Sequence, residues 1–471
     1  MNNFRYFPGS KNDVAKLYRF LGIKDKKELF GKIIGDIPLL DTNILQALTK
    51  EKDEDSLYNF FLNINSNIPV KNKFSIFVGG GVYNHFIPSA IDALISRSEF
   101  YTPYTPYQPE VSQGTLFALF EFQSMIAEIL GMDVVNASMY DGAESLAEAV
   151  LAAIRLSSAN RDLPVNRKED IILISEGVNP NYQSVIETFT GGTGVKIEKI
   201  KLNGKTGQTD ISDLKSKIAI GKTVSAAVVQ QPNYFGIIED LEELEPIIHF
   251  KGVSEPVFIV SSTEPHCFGV INPPGFYGAD IFAGEGNSFG NYMNFGGPLL
   301  GLFAAKKEYV RQMPGRIVGK TKDGKNKDAY AFILSTREQH IRRGAATSNI
   351  CTNSSLNAVR AAIYLSLCSK SGFKKIASLN LKLAHILRDG LLTTGLFEPL
   401  YTGDFFNEFS LKIKENKNNI SAAGFIEEMA KKGILAGVAA SEKVIIISAT
   451  ENNSVSEIEE YIKNVKEVLY A

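Results

Sequence analysis

Glu264-Pro265-His266-Cys267 brings a carboxylate, an imidazole and a thiol into one short stretch, a grouping able to ligate a metal or move a proton. A structural zinc site needs four ligands at defined spacing, and His85, His249, His340 and His385 supply no HExxH-type pair. The simpler reading is a polar loop at a strand end, and no metal is expected. Gly284, Gly286 and Gly290 imitate a phosphate loop. Their spacing is not GxGxxG, however, and neither GxxxxGKS nor GxxxxGKT occurs, so Rossmann or P-loop nucleotide binding is set aside. Asp141-Gly142-Ala143-Glu144-Ser145 is more informative. Small residues where a helix begins leave free N–H groups that can cradle a phosphate. Asp141 and Glu144 in that first turn would repel a phosphate dianion, and they suit a structural cap better.

The most unusual feature is an absence. Residues 252–305 hold neither Lys nor Arg, and their only fixed charges are Glu255, Glu264, Asp280 and Glu285. A buried sheet explains part of the gap. Whatever its origin, this interval cannot supply a Schiff-base lysine or an arginine clamp for a phosphate. Cations gather instead in Thr336-Arg337-Glu338-Gln339-His340-Ile341-Arg342-Arg343, which could grip an anion or form a solvated helix face. Phe100 to Glu110 (FYTPYTPYQPE) sets aromatic rings among prolines, so it is extended rather than helical. Such tyrosines can anchor an interface or stack on a planar cofactor, or they can pack into an irregular core.

Elements of recognisable type must hold these groups. Ser112 can cap a helix to Leu130, with Phe122, Met125, Ile126, Ile129 and Leu130 on one face and Gly131 ending it. Asp141-Gly142 starts a second helix, with Ala143, Leu146, Ala147, Val150, Leu151 and Ile154 on one face. Short apolar runs at Ile171–Ile174, Ala226–Val229, Val257–Val260, Ala279–Phe282 and Leu299–Ala304 alternate with helical stretches such as Tyr182–Phe189. That pattern predicts a largely parallel sheet buried on both faces, an α/β domain. From about Ala331 long helical stretches (355–370 and 376–394) precede strands near Phe409–Ile413 and Val444–Ile447. A final helix is announced by the capping box at Ser454 and Glu457. The expected organisation is a helical segment at 1–70, a large α/β domain at 71–330 and an α+β domain at 331–471.

The chain of 471 residues has a net charge of −2 and is 44 % hydrophobic, which excludes disorder as its general state. Near-neutral charge argues against nucleic acid or a membrane surface as partner. No apolar run is long enough to span a bilayer. Cys267, Cys351 and Cys368 form no CxxC pair, and MNNFRYFPGSKNDVAKLYRF has no signal-peptide core, so the expectation is a cytoplasmic protein.

Longer stretches carry a family resemblance. FVGGGVYNHFIPSAIDALISRSEFYTPYTPYQPEVSQGTLFALFEFQSMIAEILGMDVVNAS, GADIFAGEGNSFGNYMNFGGPLLGLFA, MPGRIVGKT and STREQHIRRGAATSNICTN resemble the glycine decarboxylase P-protein family, in the alpha subunit (subunit 1) of its split form. The resemblance implies a fold-type-I pyridoxal-phosphate transferase-like large domain with a smaller C-terminal α+β domain. It implies an α2β2 assembly with a homologous beta subunit. That assembly decarboxylates glycine and passes the aminomethyl group to the lipoyl arm of H-protein. In this family the cofactor-bearing lysine belongs to the beta subunit, in a His-Lys-Thr context. Here the corresponding stretch is Gly286-Asn287-Ser288-Phe289, without a lysine, so no catalytic residue is expected in this chain. Glu264 falls where the fold usually sets an acid against the pyridine nitrogen, although alpha subunits commonly have Asp-Pro there. Pyridoxal phosphate is then expected on the partner. Tyr101, Thr102, Tyr104, Thr105, Tyr107 and Glu110 are the residues expected to shape its site across the subunit interface. Two other readings stay open: a self-sufficient pyridoxal-phosphate enzyme with its lysine elsewhere, and a non-catalytic scaffold.

Overall fold

The structure, a computed structural model, describes residues 10–35, 53–67, 74–103, 105–159, 170–218, 223–250, 256–415 and 419–470. Contacts divide the chain into two compact units, Met1–Asn72 and Lys73–Ala471. The described part of the first unit is helical, with helices at Lys11–Phe20, Lys26–Ile34 and Glu54–Asn67. Side chains written into the sequence start them. Ser10 Oγ accepts from Asp13 N–H at 3.2 Å while the Asp13 carboxylate accepts from Ser10 N–H at 3.0 Å, and Asp25 caps the second helix.

The second unit is built on a mixed sheet. Its strands are β1 (Val134–Val135), β2 (Asp170–Ser175), β3 (Lys196–Ile200), β4 (Thr223–Gln230), β5 (Val257–Ser262), β6 (Ile281–Glu285) and β7 (Gly301–Ala305), in the spatial order β1-β7-β6-β5-β4-β2-β3. Strands β2 to β6 run parallel, and β7 is antiparallel to both β6 and β1. Both faces are covered. Ile172, Ile174, Ala226, Val228 and Ile259 pack with the helix Gly142–Ala159, while Ile171, Leu173, Ala227, Val229, Phe258 and Val260 pack with Leu214, Leu241, Leu244 and Ile248. Burial on both sides is why these strands read as unbroken apolar runs. The edge strand β3 escapes that pattern because its sequence, KIEKI, carries three charged residues at the sheet edge, where only Ile200 is buried. A hairpin, β8 (Ile317–Lys322) with β9 (Asp328–Ile333), was likewise not foreshadowed by an apolar run.

The helices used below are α1 (Ser89–Ile95), α2 (Gln113–Leu130), α3 (Gly142–Ala159) and α4 (Ser355–Thr393). Gly131 ends α2 in the left-handed conformation, φ 63°. Ser112 does not cap that helix with its hydroxyl. The chain arrives through a 3-10 turn at Pro109–Val111, which leaves Ser112 at φ −121°, ψ 19° rather than extended. The two helical stretches expected after 355 are present, meeting within α4 at a non-helical kink at Ser369, where φ is 56° and ψ 172°. Next comes an antiparallel sheet of β10 (Phe397–Pro399), β11 (Glu408–Ile413), β12 (Val438–Ala439) and β13 (Val444–Ser448), in the order β10-β11-β13-β12. The last helix, Val455–Tyr470, begins at a formed capping box between Ser454 and Glu457.

The parallel strands end on one side in polar residues: Ser175, Gln230, Ser262 and Glu285. Such an edge is where open α/β sheets place their chemistry. The start of α3 is pressed against it. A Cβ on Gly142 would collide with the Tyr182 hydroxyl and stand 2.8 Å from Glu285 N. Substituting Gly142→Ala is expected to cost about 1–3 kcal/mol of unfolding free energy through overpacking. A urea unfolding curve checks this, and an unchanged midpoint would contradict the close approach.

Candidate functional site

Glu264 leaves the end of β5 into the interior, 1 % exposed. A carboxylate so placed must be paired or neutralised. One of its oxygens receives His85 Nε2 at 2.8 Å and Ser288 Oγ at 3.1 Å; the other receives His266 Nδ1 at 3.0 Å. His85 is itself bridged onward, its Nδ1 lying 3.0 Å from Glu451. His266 Nε2 meets Tyr364 Oη at 3.1 Å. Burial alone would lower the His85 pKa, but Glu264 and Glu451 outweigh it and raise the ring to about 10. Burial would likewise raise the two acids. The histidines instead hold Glu264 far below the usual carboxylate range and Glu451 at about 2. His85 is thus an imidazolium between two carboxylates, joining the segment before α1, the end of β5 and the loop after β13.

His85, Glu264 and His266 lie close enough to suggest metal ligands. The two rings lie tilted against each other, with centroids 4.4 Å apart and planes 31° from parallel. Their facing nitrogens are each hydrogen-bonded to an oxygen of Glu264. Hydrogen bonding accounts for the cluster. A second buried acid sits beside it: Tyr83 Oη donates to Glu408 at 3.0 Å, and burial pushes the Glu408 carboxyl up to about 7.

At the start of α3 the Gly142 and Glu144 amides donate to the chain's own acids. Asp141 Oδ1 accepts from Glu144 N–H at 2.8 Å. Glu285, from the end of β6, accepts from Gly142 N–H at 3.0 Å and from Asn287 and Leu300 N–H at 2.9 Å each. Burial raises the Glu285 carboxyl to about 8, and Asp141 adds to the shift while the amides oppose it. The cap reading of Asp141–Ser145 therefore describes this turn, with a carboxylate from β6 lying where an anion would. The nearby cleft lined by Tyr83, Asn233, Thr263, Glu264, Asn407 and Glu408 is too tight to admit a water molecule.

Two sequence features far apart in the chain meet elsewhere. Tyr107 is packed by Arg316, whose guanidinium lies 5.1 Å from the ring centroid and donates to Tyr107 Oη at 2.8 Å and to Cys351 O at 2.6 Å. His340 meets the Tyr107 ring edge-on at 5.6 Å. Together Tyr107, Glu338, His340, Arg343, Ile350 and Cys351 line an open cavity of about 440 Å³. Residues 336–343 do not form one continuous helix, although Gln339–Arg343 are exposed. They are short turns, and Arg337 turns inward to the carbonyls of Met313 and Gly315. Tyr101 and Thr102 lie at the exposed end of a single helical turn, Thr105 is half-buried, and Glu110 is exposed. Tyr104 lies outside the described residues. Arg316 and Cys351 were missed by sequence reasoning, although both lie inside the resemblance stretches MPGRIVGKT and STREQHIRRGAATSNICTN.

Comparison with known proteins gives this geometry a context. The sequence profile of the glycine cleavage system P-protein matches residues 4–465. The chain belongs to the glycine cleavage system P-protein family. A relative from Geobacillus thermodenitrificans, named probable glycine dehydrogenase (decarboxylating) subunit 1, is 40 % identical over 92 % of this chain and 91 % of its own. One of the same name from Chloroherpeton thalassium is 40 % identical over 98 % and 99 %. A solved glycine decarboxylase (P-protein) in inhibitor-bound form is 35 % identical, with a TM-score of 0.79 over 98 % of this chain and all of that one. Lactobacillus brevis glutamate decarboxylase, 12 % identical at a TM-score of 0.67, and a NifS-like protein, 13 % at 0.61, share the fold. It is the fold of the type-I pyridoxal-phosphate enzymes.

A pyridoxal phosphate of its own does not fit this P-protein-family chain. The acid after β5 is hydrogen-bonded to two histidines and to Ser288, and the helix start to Glu285, and residues 252–305 supply no lysine. What the cluster does supply is stability with a defined pH dependence. A raised His85 pKa means its contribution is whole below 6.5 and is lost as pH climbs through about 10. Replacing His85→Gln should lower stability at neutral pH by about 3–5 kcal/mol, since it leaves buried charge uncompensated. Urea midpoints measured from pH 6 to 10 are expected to fall less steeply in the variant than in the native chain. Parallel curves would show that His85 is not the titrating group.

Proposed function

We propose that this chain is subunit 1 of a two-subunit glycine decarboxylase. With a homologous second subunit, in an α2β2 assembly, it would remove CO2 from glycine and pass the aminomethyl group to the lipoyl arm of H-protein. Its pyridoxal phosphate is held covalently by the second subunit and supplies an electron sink for the carbanion left when CO2 departs. One observation carries the reading: Gly286–Phe289 after β6, the stretch that by resemblance corresponds to the lysine-bearing stretch of the family's cofactor-bearing subunit, has no lysine, and residues 252–305 contain none at all. The relatives' shared name, subunit 1, supports a partner of complementary competence. Among the described residues no helix is long and apolar enough to cross a membrane, in keeping with work in the cytoplasm.

In this reading the contribution of the chain is positional. Tyr107 is held by Arg316 at a cavity edge shared with His340 and Arg343, a surface suited to orienting an anionic group delivered from outside the chain. Tyr101, Thr102, Thr105 and Glu110, on the same segment of chain, and Tyr104, outside the described residues, are the further candidates for shaping the partner's site. The direct test is glycine decarboxylation by the second subunit and H-protein, with and without this chain. Activity is expected only with it. Substituting Tyr107→Ala in the co-expressed complex is expected to lower kcat about 100-fold with assembly intact. Full turnover in an intact complex would leave the chain a scaffold and defeat the proposal.

A further inference from the structure

The gap in charge noted in the sequence has a structural counterpart at the surface. Residues 286–305 carry no charged side chain, and the middle of this stretch is a projecting loop. At its tip Asn294 and Phe295 are both left-handed, φ 45° and 53°, in a turn closed by Gly296 N–H to Met293 O at 2.9 Å. Turns of this form favour glycine at the second central position, because a side chain there is strained. This chain places a phenylalanine there, and the ring touches nothing that would compensate: it is 112 % exposed relative to its reference state.

The base of the loop is held firmly. Tyr292 Oη donates to Asp92 of α1 at 2.6 Å, and Arg360 of α4 donates to the other Asp92 oxygen at 2.6 Å. The Arg360 guanidinium also lies 4.7 Å over the Tyr292 ring, and its Nε donates to Gly290 O at 2.6 Å. Asn357 fixes the returning strand through Leu299 O at 2.9 Å. One helical turn before Arg360, Leu356 is exposed. A rigid base, a strained tip, a fully exposed ring and a local absence of charge are the properties of a preorganised interface anchor.

We infer that Phe295 is an anchor for the second subunit, inserting into an apolar pocket on it. The occupant follows from the reading above, on which this inference rests: a subunit-1 chain has an obligatory partner, and a side chain strained to face solvent is stabilised only by what covers it. The loop between β6 and β7 is then a docking device as well as the place where a lysine is missing.

The test measures association without substrate, by titrating the full chain into the second subunit of the same organism. Substituting Phe295→Ala is expected to weaken binding at least tenfold and Phe295→Asp far more, while Phe295→Tyr stays within about threefold of the native chain. Circular dichroism and melting temperature of each free variant should match the native chain, so that lost binding is not lost folding. Native-like affinity of Phe295→Asp overturns the inference. So does an effect confined to self-association of this chain. If Phe295→Asp abolishes association but the native complex does not decarboxylate glycine, the anchor stands and the functional reading falls.

Discussion

A carboxylate at the centre of the sheet edge governs this structure. Glu264 is buried among groups that must satisfy it: His85, far away in sequence, Ser288 after β6, and the neighbouring His266. His85 carries the charge outward to Glu451, beyond the last strand of the C-terminal sheet. Removing any member would strand a charge in low dielectric, a penalty of several kcal/mol and a large part of a domain's net stability. The segment before α1 is thereby tied to both sheets, with Tyr83 and Glu408 adding a second tie.

The same commitment decides what the chain can do. The type-I fold normally keeps an acid, a helix start and a lysine free for one cofactor. Here the acid is hydrogen-bonded by histidines, the helix start meets Glu285, and residues 252–305 contain no lysine. Polar groups that would meet a ligand in a working pocket meet one another instead, and the cleft beside them closes to less than a water molecule. The surface carries the features the interior lacks: a braced tyrosine, a cavity edged by His340 and Arg343, and a projecting aromatic ring.

Much of the fold was legible because buried elements obey simple periodicities. The apolar runs of β2, β4, β5 and β6 and the stripes of α2 and α3 are direct consequences of which faces are covered. The edge strand β3 was not, since three of its five residues are charged and only Ile200 is buried. The site was legible only in parts. Local sequence identified Glu264, the Asp141 turn, Tyr107 and the 336–343 run. It could not reveal that His85, about 180 positions earlier, completes the charge of Glu264, or that Arg316 joins Tyr107 to Cys351. Those relations are made by topology, and no spacing encodes them. The hydroxyl cap expected of Ser112 failed for a local reason, a proline turn that fixes the backbone before the helix begins.

On the proposed reading, this chain binds no cofactor of its own and serves a site on its partner. Borohydride reduction of the assembled two-subunit enzyme, followed by peptide mass mapping, tests it most directly. The account predicts a reduced pyridoxyl adduct on a single lysine of the second subunit and none on this chain. A stoichiometric adduct on any lysine of this chain would contradict it.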